Sequence, residues 1–336
     1  MPAGAEKSQT SPDVSALRVA ARVRDRDLAF ACGFLPAAQQ GPVLQVLAMY
    51  DQLAQVLGLL PIDGQASQAA STCDEACGSS CDTGMTTNAE GCVTCGGGES
   101  PEQRRAVCAS VLEFVYEGSV TGKPTLDGFH QVVTACRLPR DGFEQWCDGW
   151  VSLMALPRIA TWSKLRGQCD ATMGRMMVTI AHVLHDGRLD DRAAAGARDW
   201  GAACGLMMVL SGAISGEKTG AQWLPLDDLV ACRISDRELA AWRAEPASAD
   251  VAKWSALVER LCDRAMVLHD AGVVWLQGLP PTVARGPAVW GQMQRLRWQK
   301  WRAEPMAVLT ADGQASTGLL DRLRCTRGAM RVLAKV

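Results

Sequence analysis

The chain is poor in the residues that build sheets. Among 336 residues there are two Tyr and five Phe, and alternating β-branched runs closed by Asn-Gly or Asp-Gly turns are hard to find. A sandwich or barrel is therefore not expected. No run approaches the roughly 18 apolar residues that span a bilayer, and the opening MPAGAEKSQTSPDVSAL lacks the basic-then-apolar layout of a secretory signal. The expectation is a soluble, cytoplasmic protein. A charge excess is also missing, with 34 Lys and Arg against 36 Asp and Glu. No global field then recruits nucleic acid or anionic lipid, and either partner would need a local patch.

Helical signals fill the space that strand signals leave. GPVLQVLAMYDQLAQVLGLL places Val43, Val46, Leu47, Tyr50, Leu53 and Leu57 at three- and four-residue spacing, which is one apolar stripe of a helix that Pro42 can open. RAVCASVLEFVYEG, FEQWCDGWVSLMAL, DATMGRMMVTIAHVL, DWGAACGLMMVLSGAI and KWSALVERLCDRAMVLHDAGVVWLQGL read in the same way. The fold class is all-α.

Fourteen cysteines in a chain of this size point to reduced thiols, because disulfide frameworks belong mainly to small secreted domains. Nine are scattered among apolar residues, where the thiol behaves as a small hydrophobe. The other five, Cys73, Cys77, Cys81, Cys92 and Cys95, crowd into a Gly- and Ser-rich stretch over 62–100 that cannot build a core of its own. Thiolates favour Zn²⁺ or an iron–sulfur cluster, and the Cys92-x2-Cys95 pair in GCVTCGGG can present two sulfurs to one metal. The x3 spacings match no standard zinc or ferredoxin run, and five is an awkward count for four ligand positions. A metal-binding loop, a loop that docks a protein partner and a reducible loop without ligand all fit.

Four further patterns invite a functional reading. His182 and His185 lie three apart beside Asp186 and could share a metal, although such a pair also suits a helix terminus. In the same HDGRLDD stretch, Asp186 and Asp190 have the spacing of two carboxylates on one helical face, but the stretch reads as a polar connection. WGQMQRLRWQKWR (290–302) interleaves Trp with basic residues, as on a peripheral membrane surface or in a half-buried helix with snorkelling arginines. Met173, Met176, Met177, Met207 and Met208 read as core filler or as the lining of an apolar tunnel.

In order along the chain, DGWVSLMALPRIATWSKLRGQC (148–169) and QWLPLDDL (222–229), with Leu35–Pro36 and Gly278–Pro280, resemble the squalene/phytoene synthase family. These are all-helical enzymes that join two prenyl diphosphates using Mg²⁺ held by two aspartate-rich motifs. The resemblance implies one large bundle of the isoprenoid synthase type over 21–336, interrupted at 62–100, with residues 1–20 a flexible terminus. It also implies an isoprenoid or other apolar ligand.

The chemistry does not follow as readily. Ionising an allylic diphosphate leaves an anion that carboxylate-held metal must neutralise, and carboxylates four apart share one helical face. Laid onto this chain, the family's first motif puts its aspartates at Ala54, Gln55 and Gly58, with Asp51 the nearest acid. Its diphosphate-binding Ser-Lys-Ser-Phe run falls on Asp25, Arg26, Asp27 and Leu28. The second motif, in the register fixed by LPLDDL, puts Gln and Asn at Gly205 and Met208 and aspartates at Gly212 and Gly216, with Glu217 the nearest acid. Of the remaining pocket motif, Asp148 and Arg158 persist, while Val151 and Leu153 replace its acids.

The expectation is thus a family member without Mg²⁺-dependent condensation, acting as a non-catalytic isoprenoid-binding or assembly protein. Gly205, Met208, Gly212, Gly216 and Arg158 are its pocket positions by resemblance. The alternative is an active head-to-head prenyl transferase using the displaced acids Asp51, Asp148 and Glu217.

Overall fold

A computed structural model describes residues 14–59, 100–118, 124–212, 223–309 and 317–335. Every regular element among them is helical. The five crowded cysteines, Gly216 and Glu217 lie outside the described residues, as do residues 1–13.

The first helices are α1 (Val14–Arg24), α2 (Arg26–Cys32) and α3 (Ala37–Val56). α1 begins inside the stretch expected to be a flexible terminus. Val14 lies against Gly41, and Arg18 hydrogen-bonds Gln40, so residues 14–20 belong to the helical body. α3 starts five residues before Pro42, which therefore sits within the helix rather than opening it. At the sixth residue of the helix, this proline forgoes one intrahelical bond, the one its N–H would have made to the carbonyl of residue 38.

Next come α4 (Pro101–Glu117), α5 (Pro124–Cys136), α6 (Arg140–Ala155), α7 (Trp162–Cys169), a π-helical turn (Asp170–Gly174) and α8 (Arg175–Leu184). Local signals set several starts: Ser100 with Gln103 closes a capping box on α4, and Thr161 caps α7. The chain continues through α9 (Asp191–Gly212), α10 (Leu226–Ala231), α11 (Asp236–Ala244), α12 (Val251–Gly272), α13 (Pro281–Ala303) and α14 (Leu319–Leu333).

α9 runs through the middle of the bundle against α8, α12 and the π turn. The crossing with α12 is close because Gly196 and Gly272 face each other: a Cβ on Gly272 would stand 2.8 Å from the Gly196 carbonyl oxygen. Trp200, Trp275 and Trp298 pack around this crossing with His269. The 290–302 segment falls within α13, and Trp290, Trp298 and Trp301 are buried. This is the half-buried helix of the two readings, so α13 has no tryptophan edge to offer a bilayer. Arg297 turns inward rather than snorkelling out.

Met176, Met177 and Met207 are core residues, whereas Met208 is 41 % exposed. The nine cysteines among the described residues are free, and seven of them are buried. Burial pushes the Cys169 thiol up to about 12, which keeps it neutral and leaves it the packing role expected of scattered thiols.

Candidate functional site

The position of the first aspartate-rich motif is closed by backbone geometry. α3 stops at Val56, Leu57 caps it, and Gly58 adopts a left-handed conformation with φ of 73°. A second carboxylate at 58 would need one more helical turn and would strain the backbone there. Arg104 of α4 covers the same place, its Nη1 donating to the Leu57 carbonyl oxygen at 2.7 Å. Ala54 is buried, and Asp51 is half-buried one turn before Gln55.

Asp148 stands on the side of α6 that faces α4, ion-paired with Arg105 at 2.5 Å. The opposite side of α6 feeds the interior. Tyr50 stacks on Phe143 with ring centres 4.9 Å apart, Tyr50 meets Trp146 at 5.0 Å, Trp146 meets Trp150 at 6.1 Å, and Trp150 meets Trp223 at 6.1 Å. The Tyr50 hydroxyl shares a hydrogen bond with Thr179 Oγ1 at 2.8 Å. These rings fill the middle of the bundle from α3 to the residue preceding LPLDDL.

Gly205 and Met208 do meet in one place. Together with Trp150, Trp223, Cys169 and Gln168 they border a space of about 10 Å³, room for roughly one water molecule. Gln168 Oε1 and Trp150 Nε1 are buried there or beside it without a protein partner. A Cβ on Gly205 would come within 3.1 Å of Cys169 Sγ, so a side chain there would press on that cysteine. Gly212 is the last residue of α9. Arg158 is not part of this lining; its Nη1 donates to Asp236 Oδ2 at 2.5 Å and ties the α6–α7 connection to α11.

The Asp25–Leu28 run, onto which the resemblance lays the diphosphate-binding residues, forms a clamp. Asp25 caps α2 by accepting from the backbone N–H groups of Asp27 and Leu28 at 2.8 and 3.0 Å. The fully buried Asp27 carboxylate pairs with Arg297 of α13 at 2.9 Å and Arg322 of α14 at 3.2 Å, and accepts from the Thr317 hydroxyl at 2.8 Å. Three separated segments are joined through one side chain.

The LPLDDL acids are structural as well. Leu226 and Asp227 donate backbone N–H groups to the carbonyls of Ile159 and Ala160 at 3.0 and 3.1 Å. Asp227 Oδ2 in return accepts from the Trp162 N–H at 3.1 Å, at the start of α7. Asp228, fully buried, pairs with Arg260 at 2.6 Å and with Arg264, whose guanidinium lies 4.4 Å over the Trp162 ring. The two most recognisable stretches of the sequence therefore bind each other.

The histidine pair does not converge on a metal position. His185 Nε2 donates to the Trp275 carbonyl at 3.1 Å, while His182 is half-buried and burial holds its pKa below the ordinary value. Asp186 accepts from Gln39 at 3.2 Å, and Asp190 accepts from the Ala193 N–H at 2.7 Å at the start of α9. Among the described residues no group of three His, Cys, Asp or Glu side chains is arranged to hold a metal. Ala54, Gly58 and Gly212, onto which the resemblance lays three of the family's aspartates, carry no side-chain oxygen and do not suit Mg²⁺.

The sequence reading did not find Asp27 as a tie between the two ends of the chain, and no local pattern announces a contact across 290 positions. The cap at Asp25 was findable, because Asp before Arg-Asp-Leu is an N-terminal helix signal.

No curated protein sequence matches the chain. Solved structures share its fold. A dehydrosqualene synthase in complex with ligand superposes with a TM-score of 0.71 at 13 % identity, covering 96 % of this chain and 97 % of that one. The squalene synthase HpnC from Alicyclobacillus acidocaldarius gives 0.61 at 17 % identity, covering 87 % and 94 %. YisP from Bacillus subtilis subsp. subtilis strain 168 gives 0.61 at 11 % identity, covering 94 % of each. No helix among the described residues is long and apolar enough to cross a membrane. A sequence model of squalene/phytoene synthase matches residues 88–318, more than half of the chain, and the protein belongs to that family.

Proposed function

We propose that this family member is non-catalytic and works as an assembly or docking protein rather than as a prenyl transferase. The observation that carries this reading is the space bordered by Gly205 and Met208. At about 10 Å³ it is far below the roughly 300–1,000 Å³ of a small-molecule site, with Trp150, Trp223 and Cys169 packed along it. A second apolar space, between α2, α3, α8 and α13, holds about 50 Å³ and is also too small.

The absent donors at Ala54, Gly58 and Gly212 support the same reading, as does the pairing of Asp148 with Arg105. Isoprenoid binding without turnover would need the aromatic packing to open, which favours assembly over lipid storage. The test is calorimetric titration of the protein with farnesyl diphosphate, with and without Mg²⁺. Absence of saturable heat is the expected result, and a stoichiometric binding isotherm would refute the filled-interior reading.

A further inference from the structure

α14 shows solvent a face that the rest of the molecule leaves uncovered. Leu319, Leu320, Leu323 and Met330 are 75, 72, 55 and 46 % exposed. At about 100° per residue, Leu319, Leu323 and Met330 fall within about 40° of one another. Arg327, Arg331 and Arg324 occupy the adjoining arc of about 60°, with Leu320 among them, and Lys335 follows just past the end of the helix. All four of these cations are exposed. The opposite side of the helix carries Cys325 and Ala329 into the core against α13 and sends Arg322 to Asp27.

The charge on this face is of one sign. Asp321 is the sole acid between residues 319 and 335. It is largely buried, 16 % exposed, and pairs with Lys300 at 2.5 Å and more loosely with Arg324 at 3.8 Å, whose own side chain stays 78 % exposed. A second copy of the chain would bring cation against cation. An anionic lipid surface matches both halves of the pattern, taking leucines into the acyl boundary and arginines to the phosphates.

We propose that α14 is an interfacial helix that seats the protein on an anionic bilayer, with Leu319, Leu320 and Leu323 inserted and Arg324, Arg327, Arg331 and Lys335 at the phosphate level. The membrane contact weighed for residues 290–302 thereby moves to the C-terminal helix, and it holds whether or not the protein has any catalytic activity.

The test is flotation of the full chain with two kinds of vesicle, phosphatidylcholine alone and phosphatidylcholine with about 30 mol % phosphatidylglycerol. The chain should float with the anionic vesicles, lose at least about tenfold in partitioning on the neutral ones, and be released by about 0.5 M salt. Leu320→Glu/Leu323→Glu and Arg324→Glu/Arg331→Glu should each reduce binding by about tenfold or more. Both variants change solvent-facing side chains, so their melting curves should match that of the parent. A parent chain that stays unbound with anionic vesicles overturns the proposal, as do variants that bind as the parent does. Binding to polyglutamate without binding to vesicles would make the face a site for an acidic protein and overturn the lipid assignment.

Discussion

The backbone of Gly205 in α9 presses on the side chain of Cys169 at the end of α7: a Cβ at 205 would lie 3.1 Å from both Cβ and Sγ of that cysteine. The position onto which the resemblance lays a polar side chain of the family is here a close contact between α9 and α7.

Gly205→Gln should therefore destabilise the protein. Replacing a helical glycine gains up to about 1 kcal/mol in propensity, whereas overpacking a filled core costs about 1–3 kcal/mol. The net expectation is a loss of about 1–2 kcal/mol in denaturant unfolding, with no metal-dependent activity gained. A stabilised variant would show that the crossing has slack.

Asp228 joins α10 to α12 through Arg260 and Arg264 from a fully buried position. Asp228→Ala would strand two guanidinium groups, but these are 49 and 21 % exposed and recover some hydration. The expected loss is about 3 kcal/mol, at the low end for breaking a buried pair. Asp227→Ala removes one bond to the Trp162 N–H and should cost about 1 kcal/mol. Equal losses in the two unfolding curves would contradict this division of labour.

Asp27→Ala should release the C-terminal helix. Its carboxylate faces Arg297, Arg322 and Thr317 with no solvent contact, and removing it should cost about 3–5 kcal/mol. Limited proteolysis should then cleave ahead of α14 faster than in the parent chain. An unchanged digestion pattern would mean that packing on α13 alone holds the helix.

Burial lowers the His182 pKa below its ordinary value of 6.5. Because the unfolded chain takes up this proton more readily, the contribution is complete above pH 6.5 and is lost as pH falls through the lower folded value. His182→Gln should flatten the part of the melting-temperature profile just below that pH. An unchanged slope there would place acid sensitivity elsewhere.

Much of this molecule was legible in its sequence. Three- and four-residue apolar spacing gave the helices, the order of PRIAT and LPLDDL gave the family, and the register of LPLDDL placed Gly205 and Met208 in one lining. Other features lay beyond one-dimensional reading. Pro42 did not mark the start of α3, because the tertiary packing of α3 carries the helix through a proline in its second turn. Arg158 kept its family identity while turning to Asp236, since a sequence match preserves residue type without fixing a partner. The aromatic filling from Tyr50 to Trp223 joins side chains from distant segments, and periodicity carries no information about which faces meet.

The proposed non-catalytic role rests on an interior filled by aromatic packing from Tyr50 to Trp223. The most direct test is incubation of the purified full chain with Mg²⁺ and farnesyl or geranylgeranyl diphosphate, following diphosphate release and extractable hydrocarbon together. Neither should rise above a protein-free control. Metal-dependent diphosphate release at an enzyme-like rate, abolished by Glu217→Ala or Asp51→Asn, would contradict the account and establish a prenyl transferase with displaced acids.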